Sequence, residues 1–235
     1  MPRALLIHGL SNTPASMWRV QAWLEALGWG VHAHSPLGHA GRGPAPDYSV
    51  EAGVADALAH APGPWDLVVG HSLGGTLATA IAARHPAWTR RLVVVDPPWY
   101  FSPTYLAGVR EAELAELTMT RADIVAASPH WTGRDIDAKV EGLATVAPGA
   151  VAGVFDDNPD WDVRADAAAL PVPTLLLTGD RSVFTLLDPA DSAAAVAANP
   201  RITWVEVPGA GHAPHRDQPD ATRAALLDWL AATAG

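Results

Sequence analysis

Six short apolar runs, separated by longer helical stretches, limit what this chain can fold into more than any other feature. They are RALLIHG (3–9), GVHAHS (30–35), WDLVVG (65–70), RLVVVD (91–96), PTLLLTG (173–179) and ITWVEVPG (202–209), each bounded by Gly, Pro or Asp. Five of the six lack polar alternation, the pattern of strands covered on both faces in a parallel sheet. Between them, residues 15–27 carry Trp18, Trp23, Leu24 and Leu27 at helical spacing. Residues 48–60 and 73–85 are Ala-rich, and 189–198 and 217–233 follow the last two runs. Alternation of this kind predicts an α/β fold: a mostly parallel sheet of about six strands, right-handed crossovers, and helices on both faces.

One interval breaks the alternation. From Pro97 to about Leu170 no run reads as a strand. Ser102 with Pro103 marks a helix start, and further helical stretches begin at Thr120, Arg134 and Pro148. The expected organisation is a core domain of residues 1–98 and 168–235, with 99–167 inserted as a helical cap. Inserts of this length usually carry function.

Composition narrows the classes of function. The chain has 235 residues, 49% of them hydrophobic and 17% charged, enough apolar material for one large core. The formal net charge of -10 argues against a nucleic-acid partner. With no cysteine, disulfides, thiolate metal sites and a cysteine nucleophile are excluded. His32 and His34 share a strand face, but no third ligand stands near them in sequence, so no metal is expected. The N-terminus has no signal-peptide pattern, and no segment approaches about 18 uninterrupted apolar residues. A cytoplasmic protein without a membrane partner is the expectation.

The chemistry centres on DLVVGHSLGGTLATAIAARH (66–85). An apolar strand ends at Gly70, a turn holds Ser72, and an Ala-rich helix follows. The G-x-S-x-G pattern alone is weak; between a strand and a helix it describes a sharp turn that projects a serine hydroxyl from the sheet edge. Gly70 and Gly74 remove side chains that would collide in the turn. A nucleophilic serine needs a base, and His212 in the loop VPGAGHAPHRDQPD (207–220) is preferred over His215. An oxyanion formed at Ser72 needs N–H donors. Leu73 supplies one, and Leu10, after the tight turn at His8-Gly9, supplies the other.

HGL after the first strand, GHSLGG after the third and GAGH after the last resemble the α/β-hydrolase fold superfamily, and the order Ser, acid, His agrees. The resemblance covers essentially the whole chain, including the position of the cap. It implies hydrolysis of an ester-like bond by a Ser-acid-His triad without a cofactor. The family usually places the acid as G-x-x-D after the strand PTLLLTG, where this chain has Gly179-Asp180-Arg181-Ser182. Ser182 cannot orient an imidazole as a carboxylate does. Asp96, at the end of RLVVVD, resembles the arrangement in certain haloalkane dehalogenases and zearalenone lactonases and is the preferred acid. Asp180 is the alternative, Asp188 reads as a helix cap, and the absence of an effective acid stays open.

The interval 99–167 is rich in aromatic residues. Trp99, Tyr100, Trp131 and Trp161, with His8, Gly9 and His71, are the expected substrate-binding set. The reading is a serine esterase or lactonase acting on a small to medium, largely apolar molecule. Thioesterase, carbon–carbon bond hydrolase, cofactor-free haloperoxidase and non-catalytic binding protein are the alternatives. Oligomeric state is not fixed by the sequence.

Overall fold

In the computed structural model, which describes residues 1–233, all six runs form strands. These are β1 (Arg3–Ile7), β2 (Gly30–His34), β3 (Leu67–His71), β4 (Leu92–Val95), β5 (Thr174–Thr178) and β6 (Ile202–Glu206). They make one sheet in the order β2-β1-β3-β4-β5-β6, and every pairing is parallel. Around it run α1 (Trp18–Glu25), α2 (Val50–His60), α3 (Leu73–Arg84), α4 (Pro103–Glu116), α5 (Arg121–Ala127), α6 (Gly133–Thr145), α7 (Ala150–Asp156), α8 (Arg164–Ala168), α9 (Pro189–Ala198), α10 (Pro214–Asp217) and α11 (Pro219–Ala232).

The uninterrupted apolar runs are explained by burial on both faces. Successive strand residues point to opposite sides. Leu5, Ile7, Val68, Leu92, Val94 and Leu176 pack with Ala57, Ala78, Ile81 and Ala195 from α2, α3 and α9. Their neighbours Leu6, Val69, Val93, Val95, Leu175 and Leu177 pack with Val20, Leu24, Leu226 and Trp229 from α1 and α11. Each fully buried Leu, Ile or Val contributes about 1.5–3 kcal/mol. β2, at the sheet edge, carries His32 and His34, and His32 there is exposed.

Between β4 and β5 lie α4 to α8 and no strand of the sheet. Ser102 caps α4 with Pro103 in its first turn, and Thr120 caps α5 through a reciprocal box with Asp123. The next two helices begin at Gly133, behind a similar Thr132–Asp135 box, and at Ala150. A third apolar cluster joins this interval to the carboxyl ends of the strands. In it Leu10, Leu73 and Leu77 meet Phe101, Leu106, Val151, Val154, Phe155 and Trp161. By contrast, α8 lies against α3 and α9. Among the described residues no helix is long and apolar enough to cross a membrane.

Candidate active site

The site is built where β1, β3, β4 and β6 end. The register of β3 on β4 sets Gly70 beside Val94 and His71 beside Val95. The pairing continues one step further, with the Ser72 N–H donating to the Val95 carbonyl at 2.9 Å. That step puts Ser72 next to Asp96. Ser72 adopts φ 52° and ψ -123° in the tight turn between β3 and α3. Only glycine fits around it. A Cβ on Gly70 would stand 2.4 Å from the Gly74 carbonyl oxygen, and one on Gly74 would stand 2.2 Å from that of Ile7. Gly9 brings the β1 loop equally close, since a Cβ there would meet Ser72 Cβ at 2.8 Å. The Ser72 side chain caps no helix N–H.

His212 occupies the loop after β6. Its Nδ1 lies 2.6 Å from Asp96 Oδ2. Asp96 is fully buried and has φ 45°, a left-handed conformation that aspartate tolerates better than most residues. Its carboxylate is held from the other side by the loop after β5. The Leu186 N–H donates to Oδ2 at 2.9 Å and the Thr185 hydroxyl donates to Oδ1.

The other acid candidates have different partners. Asp180 accepts from the Ser182 N–H at 2.8 Å, the Ser182 hydroxyl at 2.6 Å and the Gly209 N–H at 2.8 Å. These bonds, from Gly209 first and then Ser182, hold its carboxyl below the usual range. Asp180 therefore ties the loops after β5 and β6 together and makes no bond to His212. Asp188 caps α9 through the Ala190 N–H. His215 is fully buried, and burial above all lowers it to about 3. It stands beside His71 and outside the cavity that His212 faces.

Ser72, His71, His212 and Leu10 line one cavity of about 370 Å³. The His71 ring packs 4.8 Å from that of His212, and its Nε2–H donates to the His212 carbonyl at 3.0 Å. Burial first, then His212 and His215, keeps His71 neutral well below its usual range. His8 and Gly9 shape the loop and do not line the cavity. His8 is pushed down to about 3 by burial, so Nδ1 carries a proton that it donates to the Gly9 carbonyl at 2.9 Å.

Of the aromatic residues expected around substrate, only Trp131 reaches this cavity. Trp99 is fully buried between sheet and helices, donating to Thr79 Oγ1 at 3.0 Å. Trp161 is spent on the Pro98 carbonyl and the third apolar cluster. Tyr100 lies under the Arg164 guanidinium and faces an outer groove. Their large rings went where burial gains most. The lining also includes Asn12, Glu113, Glu116, His130, Lys139, Arg216 and Asp217, so charged and polar groups stand in the cavity beside apolar ones such as Leu10, Val183 and Phe184. Sequence reasoning missed these residues. Arg216 and Asp217 stand four and five positions beyond His212 and were marked by that proximity alone, whereas Glu113, Glu116 and Lys139 come from α4 and α6 and carried no local signal.

The alpha/beta hydrolase family model matches residues 4–225. The chain belongs to the alpha/beta hydrolase family. It is 31% identical to N-formylmaleamate deformylase of Pseudomonas putida over 96% of this chain and 87% of that protein. Its structure resembles that of E-2-(acetamidomethylene)succinate hydrolase with a TM-score of 0.80 at 20% identity, covering 98% and 91% of the two chains. NosK from Streptomyces actuosus gives a TM-score of 0.74 at 26% identity over 100% and 99%. The all-parallel six-stranded sheet of this alpha/beta hydrolase and its strand-turn-helix at Ser72 agree with the family expectation.

Proposed function

We propose that this alpha/beta hydrolase is a serine hydrolase that cleaves an ester or lactone through Ser72, His212 and Asp96. The observation that carries the reading is the 2.6 Å contact of His212 Nδ1 with the buried Asp96 carboxylate, beside the strained turn at Ser72. Asp96 holds the imidazole with its proton on Nδ1, leaving Nε2 free to act as base. Ser72 Oγ attacks the carbonyl carbon and its proton passes to Nε2. The N–H groups of Leu73 and Leu10 receive the oxyanion. As the tetrahedral intermediate collapses, the leaving oxygen takes the proton from Nε2 and an acyl-enzyme remains. Water, deprotonated by His212, then releases the acid and restores Ser72. The volume of about 370 Å³ suits a small acyl compound, and the lining favours one with polar groups.

A second reading is hydrolysis of a small acyl group from nitrogen. The 31% identity to a deformylase favours it. It uses the same steps, with an amide nitrogen leaving.

The test is turnover of 4-nitrophenyl acetate and butyrate together with labelling by a fluorophosphonate. Labelling is expected in the wild type at neutral pH and absent from Ser72→Ala. An unlabelled wild type would return the chain to a non-catalytic binding role.

A further inference from the structure

Among the described residues, Arg216 is a buried cation without a carboxylate partner. It is 3% exposed, and burial lowers it only to about 10, so it stays charged at neutral pH. A guanidinium this deep is ordinarily paired, because an uncompensated buried charge is costly. The nearby carboxylates are engaged elsewhere: Asp135 with Arg19, Glu116 with Lys139 at 2.5 Å, and Asp217 with His130 at 3.1 Å. Asp217 also receives the Trp131 Nε1–H at 2.6 Å and the Gly211 N–H at 2.8 Å. Glu113 faces the same cavity without a bond, and burial with its neighbour Glu116 raises it to about 7, so it offsets Arg216 only in part near neutrality.

The guanidinium is fixed in place and left incomplete. Nη2 donates to Asn12 Oδ1 at 2.8 Å, and the plane packs 4.6 Å from the Trp131 ring centre. Nε is buried with no partner among the described residues. Asn12 in turn donates through Nδ2 to the Leu10 carbonyl at 2.7 Å, which links Arg216 to the loop that carries the proposed oxyanion donor. A strut between Asn12 and Trp131 would need neither the charge nor the spare donors.

We propose that Arg216 binds a carboxylate carried by the substrate, in the same cavity as Ser72, so that the natural substrate is an acyl compound with a second, free carboxylate. The unspent donors of a planar guanidinium match a carboxylate's two oxygens. Arg216 would orient the acyl chain along the loop that carries Leu10. This inference rests on the serine-hydrolase reading for its catalytic half only, since the anion site can be tested without turnover.

Two esters separate the alternatives: mono-4-nitrophenyl adipate, which ends in a carboxylate, and 4-nitrophenyl hexanoate, which ends in a methyl group. In the wild type kcat/KM for the adipate ester is expected to exceed that for the hexanoate by at least about tenfold. In Arg216→Gln that ratio is expected to fall by at least about tenfold, and Arg216→Lys should retain part of it. Independently of turnover, adipate should bind Ser72→Ala in a calorimetric titration, and adipamide should not. Equal kcat/KM for the two esters, or failure of adipate to bind Ser72→Ala, overturns the proposal. If Arg216→Gln does not fold, those two measurements still decide. If neither ester is cleaved yet adipate binds Ser72→Ala, the anion site stands and the hydrolase reading fails on these esters.

Discussion

His212 Nδ1 and Asp96 Oδ2, from residues 116 positions apart, lie 2.6 Å from each other at the carboxyl ends of the strands. Asp96 reaches this position from β4, while the loop after β5, where a carboxylate at position 182 was the family expectation, supplies Thr185 and Leu186 as donors to it. The loop thus holds the Asp96 carboxylate from outside.

Asp96→Asn should lower kcat on 4-nitrophenyl butyrate by about a thousandfold or more, because an amide at that position favours the wrong tautomer of His212. Asp180→Asn, which loosens only the tie between two loops, should stay within about tenfold of wild type. Steady-state kinetics on both variants checks this, and the reverse order of losses would reassign the acid to Asp180.

Thr185 is a positioning residue in this scheme. Removing its hydroxyl in Thr185→Val should cost about tenfold in kcat with little change in KM, the scale of one hydrogen bond to a charged group. Thr185→Ser should restore most of the loss. If Ser and Val variants lose the same activity, the hydroxyl bond to Asp96 is not what matters.

The buried Arg19–Asp135 pair ties α6 to α1, and Asp135 also accepts the Trp18 Nε1–H at 2.9 Å. Burial opposes ionisation of Asp135, but the bonds from Arg19, Thr132 and Trp18 outweigh it and hold the carboxyl at about 2, against 3.8 unperturbed. Asp135→Ala should destabilise the protein by about 3 kcal/mol at neutral pH, since it leaves Arg19 buried and unpaired. A depressed carboxyl contributes stability that is complete above its unfolded value and lost as the pH falls through its folded one. Urea titrations should therefore show the full wild-type advantage above about pH 4 and its shrinkage toward pH 2.

Glu113 behaves oppositely. Its folded value of about 7 exceeds the unperturbed 4.5, burial being the main cause. The folded state holds this proton more tightly, so stability falls as the pH rises from about 4.5 through 7. Glu113→Gln carries no such penalty. It should gain stability over wild type at about pH 8 and not at about pH 4. Identical pH profiles for the two proteins would show that Glu113 titrates as an exposed carboxyl.

Periodicity and local chemistry were enough to determine much of this molecule. The unbroken apolar runs specify six strands because strands buried on both faces have no polar side. Ser72 was legible for a similar reason: Gly70 and Gly74 are demanded within five residues by one turn, so the signal is entirely local. Caps at Ser102 and Thr120 are local as well. What only the tertiary structure decided are choices between chemically equivalent residues. Asp96, Asp180 and Asp188 are all aspartates after strands or before helices. Which of them meets His212 depends on the register of β4 and the path of two loops. The same holds for the aromatic residues. Trp99 and Trp131 are equally apt to line a pocket, but one is consumed by the core and the other by the cavity wall. The polar lining from α4, α6 and α10 is brought together across more than one hundred residues of chain, a distance at which side-chain identity carries no information until packing fixes the neighbours.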